Sequence, residues 1–296
     1  LHPVAHSFPT RRSSDLQSEL LARLFVRTNY DDNVYYTADN EIDDYVLIAQ
    51  PSLTWKHTSA KTETEAMAMW RSLNYSEEDH RDKVYQNYSL SHQFKATENS
   101  GLTLDGSLKY DTTLGTEFRG NERDGHHFDR DYYSVTPGYY QDISATTQVS
   151  CDFTYAEEEF EDTLYPDYTM NRITMTIARS LSRPDATLWL QGDYTVYDYD
   201  HIADQEVDQY GIWLGLEYPL TNTMTLSTWG GGRYSKSTYK VLVQEFAYTP
   251  FPVLVSQYID EEKESNWHTI ASISLAQQWT ENSSLTVGYN RAIEPS

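Results

Sequence analysis

The residues most able to do chemistry come first. His126, His127 and Asp129, with Asp124 close by, form a His-His-x-Asp run. Imidazole nitrogen and carboxylate oxygen are transition-metal donors, so this is a candidate metal site. Gly120 and Gly125 share the stretch, and adjacent side chains diverge on an extended backbone. The competing reading is therefore a solvated loop, and neither a metal nor a cofactor is assigned to the chain. Glu157–Asp162 and Asp260–Glu264 are acidic clusters that could hold calcium bridges to lipopolysaccharide phosphates. They lack EF-hand spacing, and solvated, self-repelling loops explain them better. Asp31, Asp32 and Asn33 read as an Asx-rich loop cap. For nucleophilic catalysis, Ser91 and His92 are neighbours and face opposite ways on a strand. His268 and Ser272 share a face but stand ~13 Å apart at ~3.3 Å per residue. Neither G-x-S-x-G nor H-E-x-x-H occurs. Cys151 has no His placed beside it by spacing and reads as a small strand filler. The chain is read as a non-enzyme.

What remains is architecture. The 296 residues carry 22 Lys+Arg against 45 Asp+Glu, a formal charge of −23, which argues against binding nucleic-acid phosphates. Tyr occurs 25 times and Cys once, so neither a disordered acidic chain nor a disulfide scaffold fits. Apolar runs stop at about five residues, whereas a membrane helix needs ~20. Residues Ser7–Leu16, SFPTRRSSDL, resemble a translated sequencing-adapter oligonucleotide. Residues 1–16 are accordingly read as a non-native, disordered leader and 17–296 as one domain.

Period-two alternation runs through that domain. In Gly101–Tyr110 one face carries Leu102, Leu104, Gly106, Leu108 and Tyr110, and the other Thr103, Asp105, Ser107 and Lys109. Thirteen such strands are expected. They are Leu21–Tyr30, Asp44–His57, Thr64–Tyr75, Lys83–Ala96, Gly101–Leu114, Arg130–Gln141, Thr146–Glu157, Tyr168–Leu181, Ala186–Tyr199, Asp208–Tyr218, Met224–Lys236, Asn266–Gln278 and Leu285–Arg291. Many exceed the ~5–6 residues typical of soluble sheets and match the ~9–11 of a tilted membrane strand. Short polar turns alternate with longer acidic loops, among them Thr112–Asp129 and Ser237–Ser265. Short turns on one side and long loops on the other mark an up-and-down barrel.

Lipid offers the backbone no hydrogen-bond partners, so a sheet that spans it must close. The fold class is thus all-β, an antiparallel up-and-down transmembrane β-barrel. Aromatics at strand ends should form interfacial girdles, with Tyr45, Trp55, Trp70, Tyr75, Tyr110, Tyr218 and Trp279 as candidates. A midplane Lys or Arg facing lipid costs roughly 2–4 kcal/mol. Lys56, Arg71, Lys95, Lys109, Arg179 and Arg233 should therefore face inward and line the lumen, with Arg27, Asp105 and Asp193. Their charge could serve a pathway or simply fill the interior with ion pairs.

Asn29–Thr37 reads NYDDNVYYT, Tyr45–Leu53 YVLIAQPSL, Tyr133–Tyr139 YSVTPGY and Tyr289–Ser296 YNRAIEPS. A Y-D-[DS]-N motif followed by an alternating strand with P-[GS]-[LY] resembles the β-barrel porin 2 group of outer-membrane proteins, over roughly residues 25–296. The resemblance implies a Gram-negative outer-membrane location. It also implies a porin-like channel or conduit associated with exopolysaccharide systems, and supplies no catalytic residues. The chain departs from the outer-membrane pattern in two ways: it lacks a terminal aromatic and shows an odd strand count. Both are expected of a fragment cut at each end, from a barrel of 14 or more strands. Expected partners are outer-membrane lipid and lipopolysaccharide, with polysaccharide or small solutes in the lumen. The alternative is a non-conducting surface scaffold.

Overall fold

The computed structural model describes residues 16–31, 43–77, 82–112, 118–119, 122–123, 129–161, 166–181, 186–200, 205–248, 252–280 and 283–291. Fifteen strands follow one another. They begin with β1 (Gln17–Asp31), β2 (Asp44–Thr58), β3 (Thr62–Tyr75), β4 (Lys83–Lys95) and β5 (Ser100–Thr112). Two-residue strands β6 (Phe118–Arg119) and β7 (Glu122–Arg123), among the described residues, pair with each other. Then come β8 (Asp129–Ser144), β9 (Thr147–Phe160), β10 (Asp167–Ser180), β11 (Thr187–Asp200) and β12 (Gln205–Thr221). The last are β13 (Met224–Tyr248), β14 (Pro252–Thr280) and β15 (Ser283–Arg291).

Apart from β6 and β7, the strands form one 13-stranded sheet in chain order, with every neighbouring pair antiparallel. The count is odd, so β1 and β15 run in the same direction. Among the described residues each of them has a single neighbour. Among the described residues no helix is long and apolar enough to cross a membrane.

The short turns have a common cause. Ser59, Thr97, Ser144 and Thr221 each accept, through the side-chain hydroxyl, the N–H two residues ahead, at 3.2–3.3 Å. This local bond bends the chain back without a glycine. At the opposite end, the buried carboxylate of Asp44 accepts the N–H groups of Ser76 and Glu77 at 3.1 Å. It ties the start of β2 to the exit of β3.

Two expected loops are corrected. Within Thr112–Asp129 the chain forms the β6–β7 ladder. The segment Ser237–Ser265 is no loop at all over most of its length. The β13–β14 ladder passes a bulge between Ser237 and Thr238 and continues to Tyr248↔Pro252. Val241, Val243, Val253, Val255 and Ile259 are β-branched and favour extension, which outweighed the acidic residues that suggested a loop.

The two faces of the sheet are the reverse of a soluble protein's. On the outer face lie Leu24, Leu47, Leu102, Ile173, Ile212, Leu214 and Val287, all exposed. Among the residues nearly inaccessible are Thr195 at 1%, Glu158 at 7% and Gln209 at 8%, all on the inner face. In water, apolar side chains would be withdrawn and polar ones exposed. Here the medium outside must be hydrocarbon and the polar groups must turn to one another across an interior.

Candidate functional site

The ladder register fixes which side chains line that interior. Val46 and Ile48 of β2 are buried, so the even residues of β2 point inward, and pairing carries the phase around the sheet. One inner row runs along paired positions Lys56, Glu65, Ser91, Asp105 and Thr136. It continues through Thr154, Arg172, Thr195, Gln209, Ser235 and Asn266. The neighbouring row includes Thr103, Gly138, Asp152, Thr174, Asp193, Gly211, Arg233 and His268.

Five of the six expected lumen cations are on this face. Lys56 pairs with Glu65 at 2.7 Å. The guanidinium of Arg71 lies 5.9 Å from the Tyr85 ring, and the ammonium of Lys109 lies 5.2 Å from that of Tyr132. Lys95 faces inward opposite Gly101. Arg233 covers the indole of Trp213 at 5.3 Å. Arg179 is the correction. It pairs with Leu188 and Thr147 on the outer face. It sits next to the last residue of β10, at the short-turn end, where the lipid core has ended and the midplane penalty no longer applies.

The inner cation of that strand is Arg172, which is not among the expected lumen residues. Its Nε donates to Thr195 Oγ1 at 3.1 Å, and Nη2 reaches Tyr197 Oη at 3.5 Å and Met170 Sδ at 3.4 Å. The signal was present in the sequence: Ile173, Met175 and Ile177 mark the lipid phase, which leaves Arg172, Thr174, Thr176 and Ala178 inside.

Toward the long-loop end the inner wall is braced by charge. Arg130 makes two bonds to Asp111, at 2.7 and 2.8 Å, and a third to Glu158 at 3.0 Å, linking β5, β8 and β9. Tyr168 of β10 donates to the same Glu158. Lys83 bonds both oxygens of Asp129 at 2.8 Å. Asp129 of the candidate metal run is thus engaged by a lysine, while Asp124, His126 and His127 lie outside the described residues. No group of three metal-binding side chains occurs among the described residues.

Of the girdle candidates, Tyr45, Trp55, Trp70, Tyr110 and Tyr218 stand on the outer face. Tyr75 does not: it pairs with Val46 and shares its inner phase. The side chain of Trp279 lies outside the described residues. The outer face also carries a row of rings, Tyr194, Tyr210, Tyr234 and Trp267, with successive centroids 4.8, 6.3 and 5.4 Å apart. Just beyond it toward the long loops stands Asp208, which accepts from Tyr194 Oη at 2.6 Å. That carboxylate marks where hydrocarbon gives way to water.

Between β4 and β12 the inner face encloses a cavity of about 520 Å³. Its floor is the inner phase of β10 from Met170 to Ala178, and its walls include Thr103, Thr136, Ser150, Thr154, Gln191 and Trp189. Its charged side chains are Asp105, Asp152, Glu217 and Arg172. Most of the lining residues carry a hydroxyl or an amide among apolar carbon surface, and carboxylates outnumber the single cation.

A long-stranded antiparallel meander, apolar without and polar within, defines an outer-membrane β-barrel protein, and the chain is one. No protein-family model and no curated protein matches it. Among solved structures it is similar to the open form of the ferric-catecholate import receptor Fiu of E. coli K12. The identity is 10% and the TM-score 0.49, over 96% of this chain and 56% of the receptor. The chain thus spans a little over half of that protein's length. It is also similar to a loop L8 deletion mutant of OmpT, an outer membrane protein of Vibrio cholerae. Here the identity is 8% and the TM-score 0.42, over 74% of this chain and 92% of OmpT. A third likeness is to an anion-selective porin from Comamonas acidovorans, at 10% identity and TM-score 0.31, over 93% of this chain and all of the porin. The assignment to a barrel rests on the strand ladder and its two faces.

Proposed function

We propose that the chain is a porin-like channel that passes small hydrated solutes along the inner face of β10. The observation that carries this reading is the cavity over that strand, whose lining residues include hydroxyl, amide and carboxylate side chains. A wall of that chemistry can replace part of a solute's hydration shell, and its charge and width set what passes. The resemblance to the β-barrel porin 2 group points the same way and adds, as part of the proposal, a role with surface polysaccharide and contact with lipopolysaccharide outside. We read the chain as a passive conduit and not an enzyme, since inner-face His268 and Ser272 stand too far apart along β14 to act together.

Purified protein added to planar bilayers tests this. Discrete conductance steps are expected. Folded, membrane-inserted protein that gives no steps would overturn the channel and leave the scaffold. One observation favours that second reading, the bracing of β5, β8, β9 and β10 through Arg130, Glu158 and Tyr168.

A further inference from the structure

Nine of the described glycines of the sheet fall into two sets, and Gly288, whose added Cβ would sit 3.1 Å from Ser274 Cβ, belongs to neither. On the outer face, a Cβ placed on Gly106, Gly192, Gly230 or Gly232 would meet nothing nearer than 3.6 Å. On the inner face, a Cβ on Gly101, Gly138, Gly211, Gly215 or Gly231 would in every case strike a side chain of the adjacent strand. The occupants are Tyr140 over Gly101, Asp152 over Gly138, Asp193 over Gly211, Trp189 over Gly215 and Trp213 over Gly231. Each of these five side chains has lain down against the wall, in the recess that a missing Cβ leaves.

The direction is ordered too. Tyr140 of β8 lies toward β5 and Asp152 of β9 toward β8; Trp189 and Asp193 of β11 lie toward β12, and Trp213 of β12 toward β13. All five lean away from β10, the strand that floors the cavity. A hydrogen bond from Trp213 Nε1 to Asp193, and Arg233 over the indole, hold two of them down.

We propose that these glycines set the bore of the channel. With the recess in place, Trp189 is a wall; without it, Trp189 becomes a constriction over β10. Trp189 is thus the size-determining residue and Asp152, seated over Gly138, a charge-determining one. This rests on the channel reading above and adds which residues decide what passes.

The cleanest position is Gly215, where the three nearest atoms all belong to the Trp189 ring. At Gly231 the blocking atoms include the Ile212 carbonyl oxygen, so that site would confound bore with folding. Single-channel conductance is measured for the wild type, Gly215→Ala, the double variant Gly215→Ala with Trp189→Ala, and the outer-face control Gly106→Ala. Iodide quenching of tryptophan fluorescence in the same inserted proteins reports the indole independently of ion flow, with Trp189→Phe identifying its share. Gly215→Ala is expected to lower conductance roughly twofold, since pore width governs flux. It should exclude neutral polymers that the wild type admits and raise quenching of Trp189. The double variant should recover the conductance, and Gly106→Ala should match the wild type. Unchanged conductance and quenching in Gly215→Ala overturns the bore proposal while the channel stands. A silent wild type overturns the channel, and the quenching result then decides whether the recess holds the ring.

Discussion

Arg172 shows how one side chain can serve two ends. Its fork is taken up by neutral partners, so its charge is not cancelled in place, and Asp105, Asp152 and Glu217 around the same cavity outnumber it. Charged walls concentrate counter-ions. The cavity should therefore favour cations, with Arg172 as the moderating charge. Arg172→Gln is expected to raise the potassium-over-chloride permeability ratio severalfold, and Asp105→Asn with Asp152→Asn to lower it, read from zero-current potentials across a salt gradient. Arg172→Lys separates charge from bracing. It should leave the ratio nearly unchanged, yet lower stability by about 1 kcal/mol through loss of the Nε bond to Thr195. A ratio that ignores Arg172 would place the ion path away from β10. Arg130 makes the complementary case, with three bonds to two carboxylates. Arg130→Ala should cost roughly 2–3 kcal/mol in urea unfolding, because Glu158 is left buried with its charge opposed only by a tyrosine hydroxyl.

A strand carries two instructions at once, and the ladder makes each strand's phase hostage to its neighbours'. On β12, Ile212, Leu214 and Leu216 face lipid while Gln209, Trp213 and Glu217 face inward. Leu214 lies two outer positions from the Tyr210 row, about 10 Å into an apolar band of ~25 Å. Leu214→Arg should therefore cost roughly 2–4 kcal/mol, measured by urea unfolding in lipid vesicles. Thr174→Arg, the same charge on the inner face of β10, should leave stability closer to the wild type and cut conductance instead. Equal losses of stability from both would mean that the two faces do not meet different media. The phase is legible wherever isoleucine or leucine alternates cleanly, as in β5 and β12, and so the strands and the inward phase of most of the expected cations are readable from sequence. It was not legible where a rule was applied beyond its reach. Arg179 was placed inside by a midplane penalty that does not operate at a strand end, and Tyr75 was placed outside because aromatics at strand ends usually are. The recesses were hidden for a different reason. A glycine is a void in the sequence, and only the register names the neighbour that fills it: Trp189 and Gly215 are 26 residues apart and become partners through the β11–β12 ladder.

At the scale of the whole molecule the strands are not all of one length. Most hold 13 to 17 residues, whereas β13 has 25 and β14 has 29. A ~25 Å apolar band crossed at a tilt near 40° uses only about ten residues per strand. Beyond the Tyr234–Trp267 step of the aromatic row, β13 runs on to Tyr248, a further rise on the order of 45 Å at ~3.3 Å per residue. That upper hairpin belongs to the long-loop side and stands clear of lipid. The bulge between Ser237 and Thr238 falls near the level where it leaves the membrane, and bulges re-aim strands. Insertion should then depend on the pairing from Met224↔Gln277 to Ser237↔Glu264, and not on the part above it. Replacing residues 240–260 with a short Asn-Gly turn should leave the protein membrane-inserted and heat-modifiable on gels, with its urea midpoint little changed. Conductance through β10 should also persist, because the cavity draws its lining from β4 to β12 and none from β13 or β14. A truncated protein that fails to insert would make the hairpin part of the folding core and would move the boundary of the membrane domain upward, past the aromatic row that otherwise defines it.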